Sequence, residues 1–283
     1  MKMYPEIPLE RLISFVEEDA PFGDITSEYV VPPQTCTAVI TARQDLVLAG
    51  LAEVVRLCEW YGLIIGKKST DGAEHKKGEE IIRMTGSAHT ILLLERTLLN
   101  ILGRMSGIAS RTRYLQQLVE TENPRARICA TRKTAPGLRL LDKKAALIGG
   151  ADPHRFSLSD AVLIKDNHRV LVQPDEAVKR ARAGSMYHTI EAEADTAEEA
   201  LMIAQAGADI ILLDNMSPGM VIETRALLSA NGLREKVLIE VSGGITEETL
   251  NQYACLNIDR ISLGLLTHSV RNADLSLDIR KQD

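Results

Sequence analysis

The sequence predicts an α/β protein in two parts, an N-terminal α+β module followed by a small or incomplete α/β barrel. Three observations carry that expectation. From about residue 125 onward, short β-branched or apolar runs recur with helical patterns between them, the rhythm of parallel βαβ units. A charged residue or a glycine closes every one of those runs. The first hundred or so residues lack this rhythm and mix a helix, turns and a strand.

Taken in order, Leu9 to Glu18 reads as a helix, Gly23-Asp24 as a turn, Pro32-Pro33 as a break, and Thr37 to Ala42 as a β-branched strand. Polar, glycine-bearing stretches at Lys67 to Lys77 and Gly86 to Ala88 precede a long helical pattern that begins near Thr90. There Leu93, Thr97, Ile101 and Met105 form one i, i+4 row beside Leu94, Leu98 and Leu102, and Glu95, Arg96 and Asn100 read as the solvated side. Six strands follow: Arg127 to Thr131, Ala161 to Ile164, His188 to Ala192, Asp209 to Leu213, Val237 to Val241 and Arg260 to Leu263. At or just after their ends stand Arg132-Lys133, Lys165-Asp166, Glu193, Asp214-Asn215, Ser242-Gly243-Gly244 and Gly264. In a barrel or doubly wound sheet such ends converge on one face, where a site is expected.

Composition narrows the function. At 45% hydrophobic and 25% charged, with a net charge of −6, the chain is an ordinary globular one whose exterior offers no basic surface to nucleic acid or anionic lipid. No apolar run approaches the roughly 20 residues a spanning helix needs, and MKMYPEIPLERL has no apolar leader segment, so neither membrane insertion nor export is expected. Cys36, Cys58, Cys129 and Cys255 form no C-x-x-C pair, which suits a reducing, cytoplasmic location and argues against structural zinc.

The charge is uneven. Residues 125–169 hold ten Lys and Arg against four Asp, a local +6 that leaves −12 elsewhere. Arg132, Lys133 and Lys165 directly follow strands and should point into the strand-end crevice, a pocket for a small polyanion. Lys143, Lys144 and Arg169 read as solvated helix charges paired with acids. Glu191 and Glu193 share one face of a strand, with Asp214 ending the next. Buried carboxylates need partners: Mg²⁺, ribose hydroxyls or lysines opposite. The glycines of VSGGI (241–245) and SLGLLTHS (262–269) suit a phosphate, with His268 as a further donor. No Walker motif, Ser/His/Asp arrangement or GxSxG elbow competes. Together these describe transfer of a phosphorylated sugar to an anionic acceptor.

The ordered motifs EDAPFGDITS (18–27), VLAG (47–50), ERTLLNILGRMSGIAS (95–110), TRKTAPGLR (131–139), GGADPHR (149–155), LIKDNH (163–168), EAEA (191–194), ILLDNM (211–216), VSGGI and SLGLLTHS span nearly the whole chain. In them the sequence resembles the quinolinate phosphoribosyltransferase (decarboxylating) family, also called nicotinate-nucleotide pyrophosphorylase (carboxylating). The resemblance implies the type II phosphoribosyltransferase fold: an N-terminal α/β sandwich over 1–110, to which 270–283 return, and an incomplete, TIM-like α/β barrel over 111–269. It implies condensation of quinolinate with 5-phosphoribosyl-1-pyrophosphate, with Mg²⁺, to nicotinate mononucleotide, pyrophosphate and CO₂ in de novo NAD biosynthesis. By the same resemblance Arg132, His154, Arg155 and Lys165 hold the quinolinate carboxylates, and Lys133 lies close to both ligands. Glu193 and Asp214 bind the ribose hydroxyls and the Mg²⁺ region, directly or through water. Ser242, Gly243, Gly244, Gly264 and His268 receive the 5-phosphate, and Lys133, Lys165, Glu193 and Asp214 carry the chemistry. Arg96 reaches the neighbouring subunit's site in a homodimer, with further assembly, such as a hexamer, left open. Family members often carry Asn where this chain has Pro153, and bulkier residues between the acids of EAEA. Other readings are a molybdenum-transport-linked paralogue, not expected to keep LIKDNH intact; an aldolase-type enzyme using Lys165 as a Schiff base; and a non-catalytic binder of phosphorylated ligands.

Overall fold

Residues 6–280 are described by the structure, a computed structural model. Residues 1–5, which open the expected leaderless start and first domain, and 281–283, which end its returning tail, lie outside the described residues. The elements run α1 (Leu9–Asp19), α2 (Ile25–Val30), β1 (Thr35–Ala42), β2 (Leu46–Val47), α3 (Leu51–Trp60), β3 (Ile64–Lys68), β4 (Glu74–His75), β5 (Glu80–Ser87) and α4 (Ala88–Glu122). Next come β6 (Arg127–Ala130), α5 (Arg139–Gly149), β7 (Val162–Ile164), α6 (Asp166–Arg169), α7 (Pro174–Gly184), β8 (Ile190–Ala194) and α8 (Ala197–Gln205). The chain closes with β9 (Ile210–Asp214), α9 (Pro218–Ala230), β10 (Leu238–Ser242), α10 (Glu247–Ala254), β11 (Arg260–Leu263), α11 (Leu265–His268) and β12 (Leu275–Arg280). They fall into two compact units: Met1–Arg113 with Ala135–Gly150 and Ser269–Asp283, and Tyr114–Thr134 with Ala151–His268.

The first unit holds a four-stranded antiparallel sheet in the order β12-β1-β5-β3, so the end of the chain pairs with its first long strand, Leu277 opposite Ile40. In α1, Leu12 and Val16, spaced i, i+4, are buried, the stripe that the sequence indicates. Asp24, expected only as part of a turn, caps α2 by accepting the N–H groups of Thr26 and Ser27. Helix α3 was not anticipated, although Leu51, Val54, Leu57 and Cys58 give it a buried face. Helix α5 lies inside the range expected for the barrel yet clusters with this unit. Its charges explain why: Arg104 forks onto the fully buried Asp142 at 2.7 and 2.9 Å, and Lys144 reaches the buried Glu53 at 2.6 Å. Burial raises the Asp142 pKa, and the Arg104 fork offsets this only in part. Lys143 and Lys144 are therefore not the solvated helix charges expected; Lys143 has no exposed surface at all.

The second unit is built on a parallel six-stranded sheet in the order β6-β11-β10-β9-β8-β7. The first strand of the series neighbours the last, as in a barrel, but β6 and β7 do not pair. Asp152 takes that place with a single bridge to Cys129, which leaves the barrel incomplete. Helices cross between the strands with local signals in place: Pro174 opens α7, Thr196 caps α8 and Ser217 caps α9. Strand β8 starts at Ile190, two residues later than expected, because His188 turns back onto Ser185 Oγ at 2.8 Å while Asp209 takes the Ile190 N–H. Arg169, also expected to be solvated, is mostly buried between Asp195 and Glu199. Among the described residues no helix is long and apolar enough to cross a membrane.

Candidate active site

Residues two apart on a strand share a face, so the barrel interior is lined in layers. Glu193, Asp214 and Ser242 stand at the carboxyl ends of β8, β9 and β10. Two residues below, Glu191 and Glu240 face the same interior, with Glu240 in register beside Arg260 of β11.

At the mouth, Glu193 is buried and ion-pairs with Lys165, and its other oxygen accepts the Asp166 N–H at 2.8 Å. Asp214 Oδ2 accepts from the Asn215 amide at 2.7 Å. Burial first, then the Glu193 charge, raise the Asp214 pKa, and Lys165 and Lys133 do not reverse them. Asn215 holds a left-handed φ of 53° and donates its N–H to Ser242 O. Gly243 beside it has φ 93°, and a Cβ there would stand 2.2 Å from Asn215 Oδ1. Gly244 borders open space. A Cβ on Gly264 would lie 2.9 Å from the His268 ring and 3.2 Å from the Lys133 side chain, so these three converge. Thr267 fixes that corner by donating to Lys133 O at 2.8 Å.

The guanidinium groups complete the mouth. The parallel bridge between Cys129 and Asp152 sets Arg132 and Arg155 each three residues beyond paired positions, and burial and then the charge of Arg132 lower the Arg155 pKa, against the opposing pull of Glu191, Asp160 and Glu193. Arg132 Nε is buried without a partner. Like charges held together with an unspent donor make an anion site. The expected Arg132, Lys133, Arg155, Lys165, Glu193, Asp214, Ser242, Gly243, Gly244, Gly264 and His268 thus all belong to the strand-end face of the second unit. Arg96 does not: it is exposed on α4 in the first unit.

His154 departs from its expected role. Its Nε2 lies 3.0 Å from Glu191 and 3.4 Å from Glu240, and its Nδ1 accepts the Arg155 N–H at 2.8 Å. Both ring nitrogens are spent inside the protein, so none is left to grip a substrate carboxylate. Burial lowers the ring's pKa, but the two glutamates more than reverse this, towards about 9. The backbone donor on Nδ1 opposes a second proton and favours the Nε2–H tautomer. Of the glutamates, Glu191 is the one pushed up, by burial and the Glu240 charge.

Residues 24–106 match the family model described as the quinolinate phosphoribosyl transferase N-terminal domain, and residues 108–278 match that of the C-terminal domain. The chain belongs to the quinolinate phosphoribosyl transferase family. It is 40% identical over 275 residues to a probable nicotinate-nucleotide pyrophosphorylase [carboxylating] of Methanothermobacter thermautotrophicus, covering 96% of this chain and 99% of that one. It is 35% identical to the nicotinate-nucleotide pyrophosphorylase [carboxylating] of Rattus norvegicus, over 94% and 89% of the two chains. The crystal structure of NadC from Streptococcus pyogenes superposes with a TM-score of 0.91 at 31% identity, covering 99% of this chain and 100% of that one.

Several residues of this family member escaped the sequence reading. Glu240 and Asp152 contact His154, with Arg260 against both acids and Ser262 on Glu240, and the signal for Glu240 was its place two residues before Ser242, on the same face. His154, Glu191 and Glu240 bring ligand-type atoms within 4.8 Å of one another. Arg260, 3.0 Å from Glu240, already supplies the cation there. A Ser/His/Glu arrangement that the sequence did not single out also exists: Ser69 Oγ contacts His75 Nε2 at 2.7 Å, and His75 Nδ1 contacts Glu79 at 3.1 Å. In it the Ser69 N–H is bonded to Ile81 O and Glu79 also accepts the Lys76 N–H, so it staples a hairpin of the first unit.

Proposed function

We propose that this chain is a decarboxylating quinolinate phosphoribosyltransferase, joining quinolinate to 5-phosphoribosyl-1-pyrophosphate and releasing nicotinate mononucleotide, pyrophosphate and CO₂ in NAD biosynthesis. The observation that carries the reading is the Arg132–Arg155 pair with its unspent Nε, set on one rim with the Glu193–Asp214 carboxylates. A dicarboxylate neutralises the first group, and a ribose with developing positive charge suits the second.

Arg132, Arg155 and Lys165 orient the pyridine so that its nitrogen faces C1 of the sugar. Glu193 and Asp214 hold the ribose hydroxyls and stabilise positive charge at C1 as pyrophosphate departs. The turn at Ser242-Gly243-Gly244, with Gly264 and His268, takes the 5-phosphate. Once the ring nitrogen is quaternised, the C2–carboxylate bond breaks, its electron pair stays on C2 beside the positive nitrogen, CO₂ leaves, and C2 takes a proton from solvent. The arginines must hold that carboxylate no more tightly than its transition state. The oxygen-only donors Glu193 and Asp214, whose charge the nearby lysines leave partly uncompensated, fit Mg²⁺. When bound, Mg²⁺ would offset charge on the pyrophosphate.

The proposal includes a cytoplasmic homodimer. Four free thiols agree with a reducing compartment. Exposed apolar side chains, Phe22 at 95% in the first unit and Tyr187 at 98% in the second, are surfaces a second copy would cover. In that dimer Arg96 would serve the partner's site. The Schiff-base reading is disfavoured, because Lys165 is 44% exposed and ion-paired with Glu193 rather than held in a dry apolar pocket.

The test is formation of nicotinate mononucleotide from quinolinate against nicotinate, with Mg²⁺ and the sugar pyrophosphate. Quinolinate-dependent product with one CO₂ per turnover is expected; equal or better use of nicotinate overturns the assignment. Mixing Arg96→Ala with Lys165→Ala subunits should restore part of the activity lost in each, and no recovery overturns the shared site.

A further inference from the structure

We propose that Glu240 is a positioning residue for the acceptor: through His154 it sets where Arg155 meets the substrate carboxylate. The inference rests on the quinolinate reading above. Glu240 sits mid-strand on β10 with no exposed surface. Four groups converge on it or its partner: Ser262 Oγ donates to Glu240 Oε1, Arg260 Nε lies 3.0 Å from Oε2, His154 Nε2 lies 3.4 Å from Oε1, and Glu191 shares the His154 proton at 3.0 Å.

His154 transmits this anchorage along the backbone. Its φ of 54° is left-handed, a conformation that a β-carbon residue holds only when its surroundings enforce it. Asp152 Oδ1 accepts the His154 N–H at 2.7 Å and also the Arg260 guanidinium at 3.1 Å. On the other side His154 Nδ1 accepts the Arg155 N–H at 2.8 Å. The corner is thus tied before and after the histidine to one buried assembly, and the residue it delivers into the mouth is Arg155. Rotation of the imidazole would release the Arg155 N–H and shift its guanidinium relative to Arg132. Strand β10 also leads into Ser242-Gly243-Gly244, but that turn is held separately by Asn215, so a disturbance at Glu240 should reach the acceptor more than the sugar phosphate.

The test is Glu240→Gln in the full-length enzyme. Gln keeps the shape but loses the charge that meets Arg260. Wild-type CO₂ release tests the parent reading separately. With that established, the quinolinate KM, and its Kd by calorimetry, should rise about tenfold or more while the KM for the sugar pyrophosphate stays within about twofold. His154→Asn is the second variant, since Asn tolerates the left-handed region; it should give the same selective loss even if Glu240→Gln folds poorly. A purely structural role predicts a lower Tm with both KM values moved alike. That outcome, or an unchanged quinolinate KM in folded His154→Asn, overturns the proposal.

Discussion

Two layers of the same barrel, two residues apart on the same strands, put their charges to opposite uses. In the lower layer Asp152, Glu191 and Glu240 are knitted to Arg260, His154 and Ser262, acids against cations, although one oxygen each of Glu191 and Glu240 accepts no hydrogen bond. In the upper layer like charges stand side by side, Arg132 by Arg155 and Glu193 by Asp214, with a buried guanidinium N–H unspent and the Gly244 turn open. Like charges set side by side disfavour each other, an effect that the Lys165–Glu193 ion pair offsets in part, so the upper layer is held at some cost to stability. The lower layer is what allows that, because it fixes the strands by interactions that need no ligand. Removing a lower-layer group should therefore cost stability, with loss of acceptor binding as the further effect at Glu240, whereas removing an upper-layer group should show first in turnover.

The largest effect is expected from Arg260→Leu. It leaves Glu240 buried without its cation and should cost about 3–5 kcal/mol, read as a fall in unfolding free energy by urea titration. The double variant Arg260→Leu/Glu240→Leu should recover part of that loss, since no unpaired charge remains. No recovery would mean that shape, not charge, holds the layer.

Asp214→Asn should do the reverse. Its raised pKa means that folding disfavours the ionised form, so a folded-state cost is present at neutral pH, where the carboxylate is charged; it begins to fall as pH drops through the folded pKa and is gone below the unfolded one. Asn removes the charge, and Tm without added divalent ion should hold or rise. Turnover should drop about a hundred- to a thousandfold through loss of transition-state stabilisation. A lower Tm would blur the distinction between the layers.

Next in size is Gly264→Ala. Its Cβ would press on the His268 ring at 2.9 Å and the Lys133 side chain at 3.2 Å, forcing two upper-layer residues to move. The KM for the sugar pyrophosphate should rise about tenfold or more, with stability changed by less than about 1–2 kcal/mol. An unchanged KM would remove Gly264 from the phosphate corner.

The upper layer was legible in the sequence because it sits where apolar runs stop: charged and glycine residues punctuate strand ends, and period-two spacing paired Glu191 with Glu193. The lower layer was legible only in part, through Glu191 and His154. Glu240 lies between Ile239 and Val241 inside an apolar run, and Arg260 opens a strand, positions where a charge carries no local signal of its partner. Its partners come from other strands and from the Asp152 loop, 108 residues from Arg260, and only the fold brings them together. The same limit applied to α5, whose Lys143 and Lys144 read as solvated helix charges, whereas Asp142 and Lys144 are anchored to Arg104 and Glu53 of the first unit. Arg96 was legible only through resemblance, since an exposed arginine on an amphipathic helix looks like any other.

The smallest expected effect isolates fold from chemistry at one residue. Asn215 does two things: it occupies a left-handed φ of 53° next to Gly243, and its amide holds Asp214 Oδ2 at 2.7 Å. Asn215→Gly keeps the backbone at ease and loses the amide; Asn215→Ala loses both. If the layers are as distinct as the contacts indicate, the two variants should lose activity alike, about five- to tenfold, the scale of one ordinary hydrogen bond. Only the alanine variant should also lose about 1 kcal/mol of stability. Equal stability losses would tie the upper layer to the fold after all. Activity retained in the glycine variant would show that Asp214 finds its place without Asn215.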